Sequence, residues 1–352
     1  MKILVLDGFA LNPGDLSWKG IKELGTTVVY DRTEQARILN RIGDAEIVLV
    51  NKCPITRETI EACPNLKLIC VTATGYNTVD VQAAKEKGIL VCNVPTYATE
   101  AVTQHVFAML FAITNRVYEH AQSVRAGDWQ HAPDFSYRKT PLDEIAGQTM
   151  GIIGAGRIGM SVARVAKAFG MKVLCYNGNN PHPEWEDEQL RFVSFDELLA
   201  NSDIISLHCP LTAETENMIR RETIAKMKKG VIIINTARGK IINDTDLANA
   251  LSSGRVGYAA IDVLAEEPPV HGSPLIEQPH CMVTPHIAWA PLHADCGGQH
   301  PRLPAGQAAE CGKSIKQKNS RAVCQNQLDF FYSSCYTVRE EWFADQKGRN
   351  DR

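Results

Sequence analysis

The sequence predicts an α/β fold with doubly wound parallel sheets in two domains, and three observations support this prediction. Short apolar runs typical of buried strands alternate with segments of helical spacing, which is the pattern of parallel βαβ units. A glycine-rich turn, GAGRIG at residues 154–159, lies between two such runs. The 352 residues are too many for one small core, so two domains are the natural expectation.

The composition is that of an ordinary soluble protein. The chain is 44% apolar and 22% charged with a net charge of -3, which gives no electrostatic reason to expect nucleic acid or membrane as a partner. The longest apolar run considered, Val106–Ile113, is too short to span a bilayer. At the N-terminus, the charged residue Asp7 comes too early for the apolar segment of a signal peptide. We therefore expect a cytoplasmic location.

Cysteine usage fits the same compartment. The eleven cysteines lack CxxC spacing, and Cys70, Cys92, Cys175 and Cys281 sit in apolar, strand-like runs. Buried, reduced thiols are the better interpretation, while a disulfide framework or a zinc site is disfavoured, and no metal site is expected.

Residues 1–98 carry a first series of strands and helices. Helical patterns lie at Leu16–Leu24 and at Val79–Lys87, and Gly88 closes the second of them. Strands are expected at five runs: Lys2–Leu6, Thr27–Tyr30, Glu46–Val50, Leu66–Val71 and Ile89–Cys92. No glycine fingerprint follows the first strand, so this unit is expected to bind something other than a dinucleotide.

A stretch rich in small residues, TATGYN at 72–77, follows one of these strands and contains Thr74, Gly75 and Tyr76. Ligands meet open α/β sheets at the carboxyl ends of strands, which makes this loop a candidate binding site. A simple turn that needs Gly75 for its geometry is an equally good interpretation. Further on, Thr99–Asn115 has apolar residues on one helical face, so this helix either crosses between domains or supports a dimer.

The segment 149–177 predicts a strand, a glycine turn, a helix and a second strand. Gly154 is expected to make the tight turn, Gly156 to let a pyrophosphate approach the backbone, and Gly159 to pack the helix against the strand. The N–H groups at the start of the helix carry partial positive charge and suit a phosphate. Placed between two strands, this fingerprint predicts a dinucleotide site.

Polar residues follow each strand predicted after this point. Ser194 and Asn243 are expected to cap helices in between. The carboxyl ends of strands in a doubly wound sheet gather in one crevice, so these polar residues are expected to meet there. The strands are Ile204–His208, Val231–Ile234, Tyr258–Val263 and Met282–Thr284.

Three of these residues, Arg238, Glu267 and His286, could carry out ketone reduction beside a nicotinamide. Histidine is well suited to give the ketone oxygen a proton near neutral pH, and a neighbouring carboxylate fixes its ring. A guanidinium holds a substrate carboxylate as a fork. Taken singly, each has a plain alternative: a surface cation, a loop acid before proline and a satisfied histidine. Together, downstream of the fingerprint, they predict a catalytic site.

These motifs resemble those of the D-isomer-specific 2-hydroxyacid dehydrogenase family over roughly residues 1–292. The family includes glycerate, D-lactate and phosphoglycerate dehydrogenases. The resemblance is carried by ATGYNTVD (73–80), NVPTYATEAVTQHV (93–106), GAGRIG (154–159), HCPLT (208–212), NTARG (235–239), DVLAEEP (262–268) and TPHIAWAP (284–291).

The resemblance implies two Rossmann/flavodoxin-like domains, with the nucleotide domain inserted in a split substrate domain. It places a substrate-binding domain at 1–98, an NAD-binding domain at 99–288 and an atypical tail at 289–352. It gives the family's catalytic roles to Arg238, Glu267 and His286, and the carboxylate-binding loop to Thr74–Tyr76, with Arg238 also binding substrate. The positions it implies at the cofactor are Gly154, Gly156, Arg157, Ile158, Gly159, Asn177, His208, Pro210, Thr236, Ala237 and Asp262, the last at the nicotinamide amide.

The implied reaction is the reversible reduction of a short 2-keto acid to the D-2-hydroxy acid. Glycerate-type members resemble the N-terminal half most closely, which favours hydroxypyruvate or glyoxylate. Asn177 stands where NAD-preferring members usually have an aspartate, and no Arg or Lys lies in 178–184. We therefore expect NAD as the cofactor, with weak discrimination against NADP, which is the alternative. A homodimer formed through the nucleotide domain is also expected.

The tail departs from the family pattern. Residues 293–352 are polar and irregular with four cysteines, where the family has an amphipathic helix that completes the substrate domain. A shifted reading frame and a natural disordered extension both explain this. Two rival interpretations follow: a nucleotide-sensing corepressor-like protein, because such sensors keep the same three residues, and an inactive chain with a damaged tail.

Overall fold

The computed structural model describes residues 1–12, 17–94 and 98–290. The chain forms two compact units, and the division between them falls between Tyr97 and Ala98. The sequence-based domain ranges, 1–98, 99–288 and 289–352, stay a prediction. Residues 291–352, and with them almost all of the predicted tail, lie outside the described residues.

The first unit contains a five-stranded parallel sheet in the order β2-β1-β3-β4-β5. Its strands are β1 (Lys2–Val5), β2 (Thr26–Val29), β3 (Ile47–Val50), β4 (Leu68–Val71) and β5 (Leu90–Cys92). Its helices are α1 (Gly8–Leu11), α2 (Lys19–Leu24), α3 (Ile38–Ile42), α4 (Arg57–Ala62) and α5 (Val81–Glu86). The five strands predicted from apolar runs are all present, each with its ends moved by one or two residues.

The central strands explain why this sheet is covered on both faces. Every residue of β3 and β4 is buried. Val48 and Val50 belong to one apolar cluster while Ile47 and Leu49 belong to another, because successive side chains in a strand point to opposite faces. Continuous apolar runs of this kind are typical of parallel sheets with a layer on each side.

The second unit contains a seven-stranded parallel sheet in the order β12-β11-β10-β9-β6-β7-β8. Its strands are β6 (Thr149–Ile153), β7 (Lys172–Tyr176), β8 (Leu190–Phe192), β9 (Ile204–Leu207), β10 (Val231–Asn235), β11 (Val256–Ile261) and β12 (Cys281–Val283). Its helices are α6 (Thr99–Thr114), α7 (Val117–Arg125), α8 (Arg157–Ala168), α9 (Phe195–Asn201), α10 (Arg221–Ile224) and α11 (Asp244–Ser252). The predicted α/β class with parallel sheets is confirmed.

The strand order places the direction change of the second sheet at β6. This strand pairs with β7 on one side and with β9 on the other. The chain therefore leaves β6 in one direction and later returns to build the other half of the sheet. The carboxyl ends of β6 and β9 flank the resulting crevice, the usual ligand position in open α/β sheets.

Helix termini follow the predicted caps. The Ser194 side chain accepts a hydrogen bond from the Glu197 backbone N–H at 3.2 Å, and Asn243 does the same for Asp246 at 3.0 Å. In the same unit, α6 packs on the end of α8, where Phe107 and Phe111 contact the Phe169 ring at centroid distances of 5.7 and 5.1 Å.

The cysteine prediction holds for Cys70 and Cys175, which are buried, whereas Cys92 and Cys281 are only half-buried because each lies in a three-residue strand at the edge of its sheet. Burial raises the pKa of the Cys175 and Cys281 thiols to about 12. None of the seven cysteines among the described residues forms a disulfide. No helix in the described ranges is long and apolar enough to cross a membrane.

Candidate active site

The glycine turn after β6 depends on close backbone packing. Gly154 has a φ of +97°, and a Cβ added to it would lie 2.5 Å from the Cys209 backbone nitrogen. A Cβ on Gly159 would lie 2.1 Å from the Gly154 carbonyl oxygen. Both positions therefore require glycine, one for a left-handed turn against the end of β9 and one for contact between helix and strand.

Gly156 is different, because open space surrounds the position of its missing side chain. A Cβ built there would meet no atom within 4 Å. Gly156 is the N-cap of α8, a twelve-residue helix that begins at Arg157, with Ile158 half-buried behind it. An exposed helix N-terminus with room beside its backbone suits an anionic pyrophosphate, so these residues fit a dinucleotide.

Asn177, at the end of β7, ties the second strand to the glycine turn. Its Oδ1 accepts a hydrogen bond from the Ala155 backbone N–H at 3.0 Å, and its Nδ2 donates to the Asn180 carbonyl at 2.8 Å. Both ends of the carboxamide are therefore engaged by the protein. Contact with the cofactor ribose stays a prediction.

His208 and Pro210 follow β9 beside the glycine turn. The His208 Nε2 lies 2.9 Å from the Ser206 Oγ, and burial lowers the pKa of His208 to about 3. The imidazole is therefore neutral at physiological pH. Its neutrality excludes His208 as a cationic partner for a phosphate, whereas its backbone stays a candidate cofactor contact, and exposed Pro210 is likewise a predicted contact.

The loop after β10 is held by a buried amide. Asn235 is fully buried, its Oδ1 accepts from the Ala237 N–H at 3.0 Å, and its Nδ2 donates to the Arg238 carbonyl at 2.9 Å. The Arg238 Nη1 donates to the Ala237 carbonyl at 2.6 Å. Nearby, the Thr236 hydroxyl is buried without a hydrogen-bond partner among the described residues. The buried amide of Asn235 thus fixes the backbone from which the Arg238 guanidinium extends.

Gly239 brings the loop after β10 against the loop after β11. A Cβ on Gly239 would lie 1.9 Å from the Leu264 carbonyl carbon and 2.4 Å from the Ala265 nitrogen. The Leu264 N–H in turn donates to the Glu267 Oε1 at 3.0 Å. Two of the three predicted catalytic residues, Arg238 and Glu267, are therefore attached to loops in direct backbone contact.

Glu267 and His286 form the pair that the sequence predicted. The His286 Nδ1 lies 2.6 Å from the Glu267 Oε2, and their side chains are 26% and 34% exposed. With Glu267 holding Nδ1, the other ring nitrogen, Nε2, remains to meet a ligand. His286 adopts a φ of +55°, a left-handed conformation that is rare for a residue with a side chain.

Asp262 holds the loop that carries His286. This carboxylate is 1% exposed and accepts hydrogen bonds from the Thr284 hydroxyl at 2.6 Å and from the Ile287 and Ala288 backbone N–H groups at 2.9 Å each. The resemblance assigns Asp262 to the nicotinamide amide, and that contact stays a prediction. Its scaffolding role was missed, although an aspartate ending an apolar strand is a signal that could have indicated a buried acceptor.

The predicted substrate loop lies in the first unit, after β4. The Thr74 hydroxyl donates to the Val94 carbonyl at 3.0 Å, and the Asn93 Nδ2 donates to the Thr74 carbonyl at 2.8 Å. The Tyr76 side chain is 51% exposed. The loop is thus fixed at Thr74 and presents Gly75 and Tyr76 at its tip.

Comparison with known proteins identifies the family. A family model described as "D-isomer specific 2-hydroxyacid dehydrogenase, NAD binding domain" matches residues 107–288. A hydroxypyruvate reductase from Blautia hydrogenotrophica is 51% identical over 294 residues, which cover 83% of this chain and 91% of that protein. A glycerate dehydrogenase from Methylorubrum extorquens is 43% identical over 73% of this chain and 80% of its own length.

A solved structure agrees with these matches. The D-lactate dehydrogenase from Aquifex aeolicus, complexed with NAD and lactic acid, superimposes with a TM-score of 0.77 at 27% identity, covering 99% of this chain and 98% of that one. The expected NAD-binding assignment and the family resemblance are therefore confirmed. The chain belongs to the D-isomer-specific 2-hydroxyacid dehydrogenase family.

Proposed function

We propose that this chain reversibly reduces a short 2-keto acid, hydroxypyruvate or glyoxylate, to the D-2-hydroxy acid with NADH. The observation that carries the proposal is the Glu267–His286 pair, at 2.6 Å, on neighbouring strand ends of a sheet whose glycine turn fits a dinucleotide. The names of the two similar proteins, hydroxypyruvate reductase and glycerate dehydrogenase, support this substrate class.

His286 is the proton donor in this proposal. NADH, when bound, supplies the hydride to the carbonyl carbon. The developing alkoxide takes a proton from the His286 Nε2, because Nδ1 is held by the Glu267 carboxylate. Glu267 orients the ring by holding its Nδ1, and Glu267 is itself fixed by the Leu264 N–H.

Arg238 binds the substrate carboxylate and polarises the carbonyl group. A guanidinium offers two parallel N–H groups to a carboxylate, which fixes the orientation of the keto acid as well as its charge. The Asn235 amide that anchors the Arg238 backbone supports this role. The loop Thr74–Tyr76 is a second carboxylate-binding element in the proposal, as the family resemblance implies.

NAD is the preferred cofactor, with NADP as the alternative. The proposed contacts are the glycine turn with Arg157 and Ile158, the Asn177 side chain at the ribose, and the strand-end residues already described. Asn177 neither repels a 2′-phosphate by charge nor attracts one. The hydrogen bonds of its amide to Ala155 and Asn180 support weak discrimination, because they occupy one acceptor and one donor position that the ribose hydroxyls would otherwise use.

The chain acts in the cytoplasm as a homodimer through its nucleotide domain. Large apolar side chains are exposed on α7 and the segment after it: Val117 is 70% exposed, Tyr118 72% and Phe135 91%, with Trp129 at 52%. Apolar side chains grouped on one segment are typical of a surface covered by another protein copy. Concentration-dependent sedimentation of the chain and of a Tyr118→Lys variant tests this; an unchanged monomer in both would contradict it.

A substrate panel tests the proposed activity. NADH oxidation is followed with hydroxypyruvate, glyoxylate, pyruvate and an acyclic imino acid, for the unsubstituted chain and for His286→Gln as the matched control. We expect hydroxypyruvate or glyoxylate to give the highest kcat/KM and the variant to retain NADH binding. Equal rates for chain and variant would contradict the assignment of His286.

A further inference from the structure

His105 lies on α6, and its half-buried side chain contacts the start of the loop after β12 (residues 284–289), which carries His286. No role in the reaction has yet been given to His105. Its side chain is 14% exposed. The Nε2 lies 3.2 Å from the Thr284 Oγ1 and 3.6 Å from the Asp262 Oδ1. A titratable side chain is therefore placed against the buried carboxylate that holds the loop, 179 residues away in the sequence from Thr284.

The hydrogen-bond directions at Thr284 follow from its single hydroxyl proton. That proton goes to the Asp262 Oδ1, at 2.6 Å, because an ionised carboxylate can only accept. The Thr284 oxygen must then accept from His105, so the His105 Nε2 carries a proton. His105 thereby fixes the rotation of the Thr284 hydroxyl and directs its proton at Asp262.

Asp262 passes this restraint to His286. The carboxylate accepts from the Ile287 and Ala288 N–H groups, and the Asp262 carbonyl accepts from the His286 N–H at 2.8 Å. His286 sits between these anchors with its φ at +55°. A left-handed backbone at a residue with a side chain persists only where the surroundings over-determine it, and here the hydrogen bonds converge on one residue, Asp262, through its carboxylate and its carbonyl.

We propose that His105 is a positioning residue for His286: its Nε2–H, acting through the Thr284 hydroxyl, orients the buried Asp262 carboxylate that sets the His286 backbone. The proposal rests on the proposed role of His286 as proton donor. His105 touches neither the substrate nor the reacting atoms in this account. Removal of the His105 side chain should lower kcat, because the His286 ring is misplaced, and should leave NADH binding unchanged.

Two substitutions at His105 distinguish the effect of losing its N–H donor from the effect of losing the volume of its ring. His105→Met keeps comparable length and removes the donor, while His105→Gln keeps an N–H donor at a similar distance from the backbone. A misplacement of about 1 Å costs roughly a hundredfold in rate, so we expect His105→Met to lower kcat by about tenfold or more. We expect His105→Gln to recover most of kcat and both variants to bind NADH as tightly as the unsubstituted chain.

A double-mutant cycle tests the route through Thr284. Thr284→Val removes the hydroxyl from the other side at nearly constant volume, so it also serves if His105→Met folds poorly. If His105 acts through Thr284, the losses in kcat from the two substitutions do not multiply in the double variant. Losses that multiply would overturn the proposed route.

An NMR measurement on Trp289 tests the position of the His286 loop without requiring that the chain be active. The Trp289 indole N–H donates to the His286 carbonyl at 2.8 Å, so its NMR signal, assigned with Trp289→Phe, reports the loop whether or not the chain turns over substrate. We expect the signal to move in His105→Met and to return in His105→Gln. An unmoved signal, or equal impairment of both variants, would overturn the proposal. Absence of turnover in the unsubstituted chain would instead overturn the proposed function.

Discussion

Replacing Gly239 by alanine should damage catalysis while leaving the glycine turn at residues 154–159 intact. The added Cβ would lie 1.9 Å from the Leu264 carbonyl carbon and 2.0 Å from its oxygen, whereas ordinary contacts begin at 3.4 Å. Backbone atoms cannot rotate away as a flexible side chain can. The loops after β10 and β11 must therefore separate by about 1.5 Å to admit the methyl group.

This separation acts on two proposed catalytic residues together. Arg238 precedes Gly239 in one loop, and the Leu264 N–H holds the Glu267 carboxylate in the other at 3.0 Å. A shift of about 1 Å at a reacting group costs roughly a hundredfold, or about 2.7 kcal/mol of transition-state stabilisation. We expect kcat/KM for hydroxypyruvate to fall by about this factor or more.

Gly156→Ala is the matched control. Its Cβ meets nothing in the protein within 4 Å, so the fold should be undisturbed, but the methyl group occupies the space through which a pyrophosphate approaches. Steady-state kinetics and NADH fluorescence titration should show a raised NADH KM for Gly156→Ala and a lowered kcat for Gly239→Ala, with thermal unfolding confirming that both are folded. A Gly239→Ala variant with the kcat/KM of the unsubstituted chain would show that the contact between these two loops does not position Arg238 and Glu267.

Four further substitutions have defined outcomes. His286→Gln should lower kcat by about a hundredfold or more with NADH still bound, and near-normal turnover would remove the proton-donor role. Arg238→Lys keeps the charge but loses the fork, so steady-state kinetics should show both a higher KM and a lower kcat; unchanged constants would place carboxylate binding elsewhere. Asn177→Asp should raise the ratio of kcat/KM for NADH over NADPH, and an unchanged ratio would mean that this side chain does not face the ribose. The pKa of His208 falls from 6.5 to about 3 on folding, so the free energy of unfolding should decrease as pH falls from 6.5 towards 3, less steeply in His208→Gln; equal slopes in denaturant titrations would contradict this.

Most of the strands could be predicted because they are short apolar runs, and central strands such as β3, β4 and β9 are buried on both faces. The exception is β8, Leu190–Phe192, which the sequence did not indicate. It is a three-residue strand at the edge of the sheet with an exposed arginine in its middle, so it has no continuous apolar run to recognise.

In the candidate site, features set by adjacent residues could be predicted, whereas contacts between residues far apart in the sequence could not. The roles of Gly154 and Gly159 could be predicted because a turn and the helix that follows it are set by adjacent residues. The contact between Gly239 and Leu264, and the hydrogen bonds that surround Asp262, join residues more than twenty positions apart. Such contacts depend on how strands pair, which residue spacing alone does not specify.

The left-handed backbone of His286 illustrates the remaining limit. A φ of +55° is uncommon outside glycine, and although histidine adopts it more often than most residues, the residue type alone does not identify this conformation. It results from the carboxylate of one strand end holding the backbone of the next. A sequence pattern predicts that the histidine is a proton donor, but only the assembled strand ends show that the Glu267 carboxylate holds its Nδ1.

Reduction of a short 2-keto acid through His286 is the proposal from which the roles of the other site residues follow. The most direct test is turnover of hydroxypyruvate with NADH by the full chain, with the configuration of the glycerate product determined by chiral chromatography. We expect sustained turnover to the D-isomer by the unsubstituted chain. In His286→Gln, turnover should be abolished or reduced by about a hundredfold. Tight NADH binding without turnover of any keto acid, or formation of the L-isomer, would contradict it.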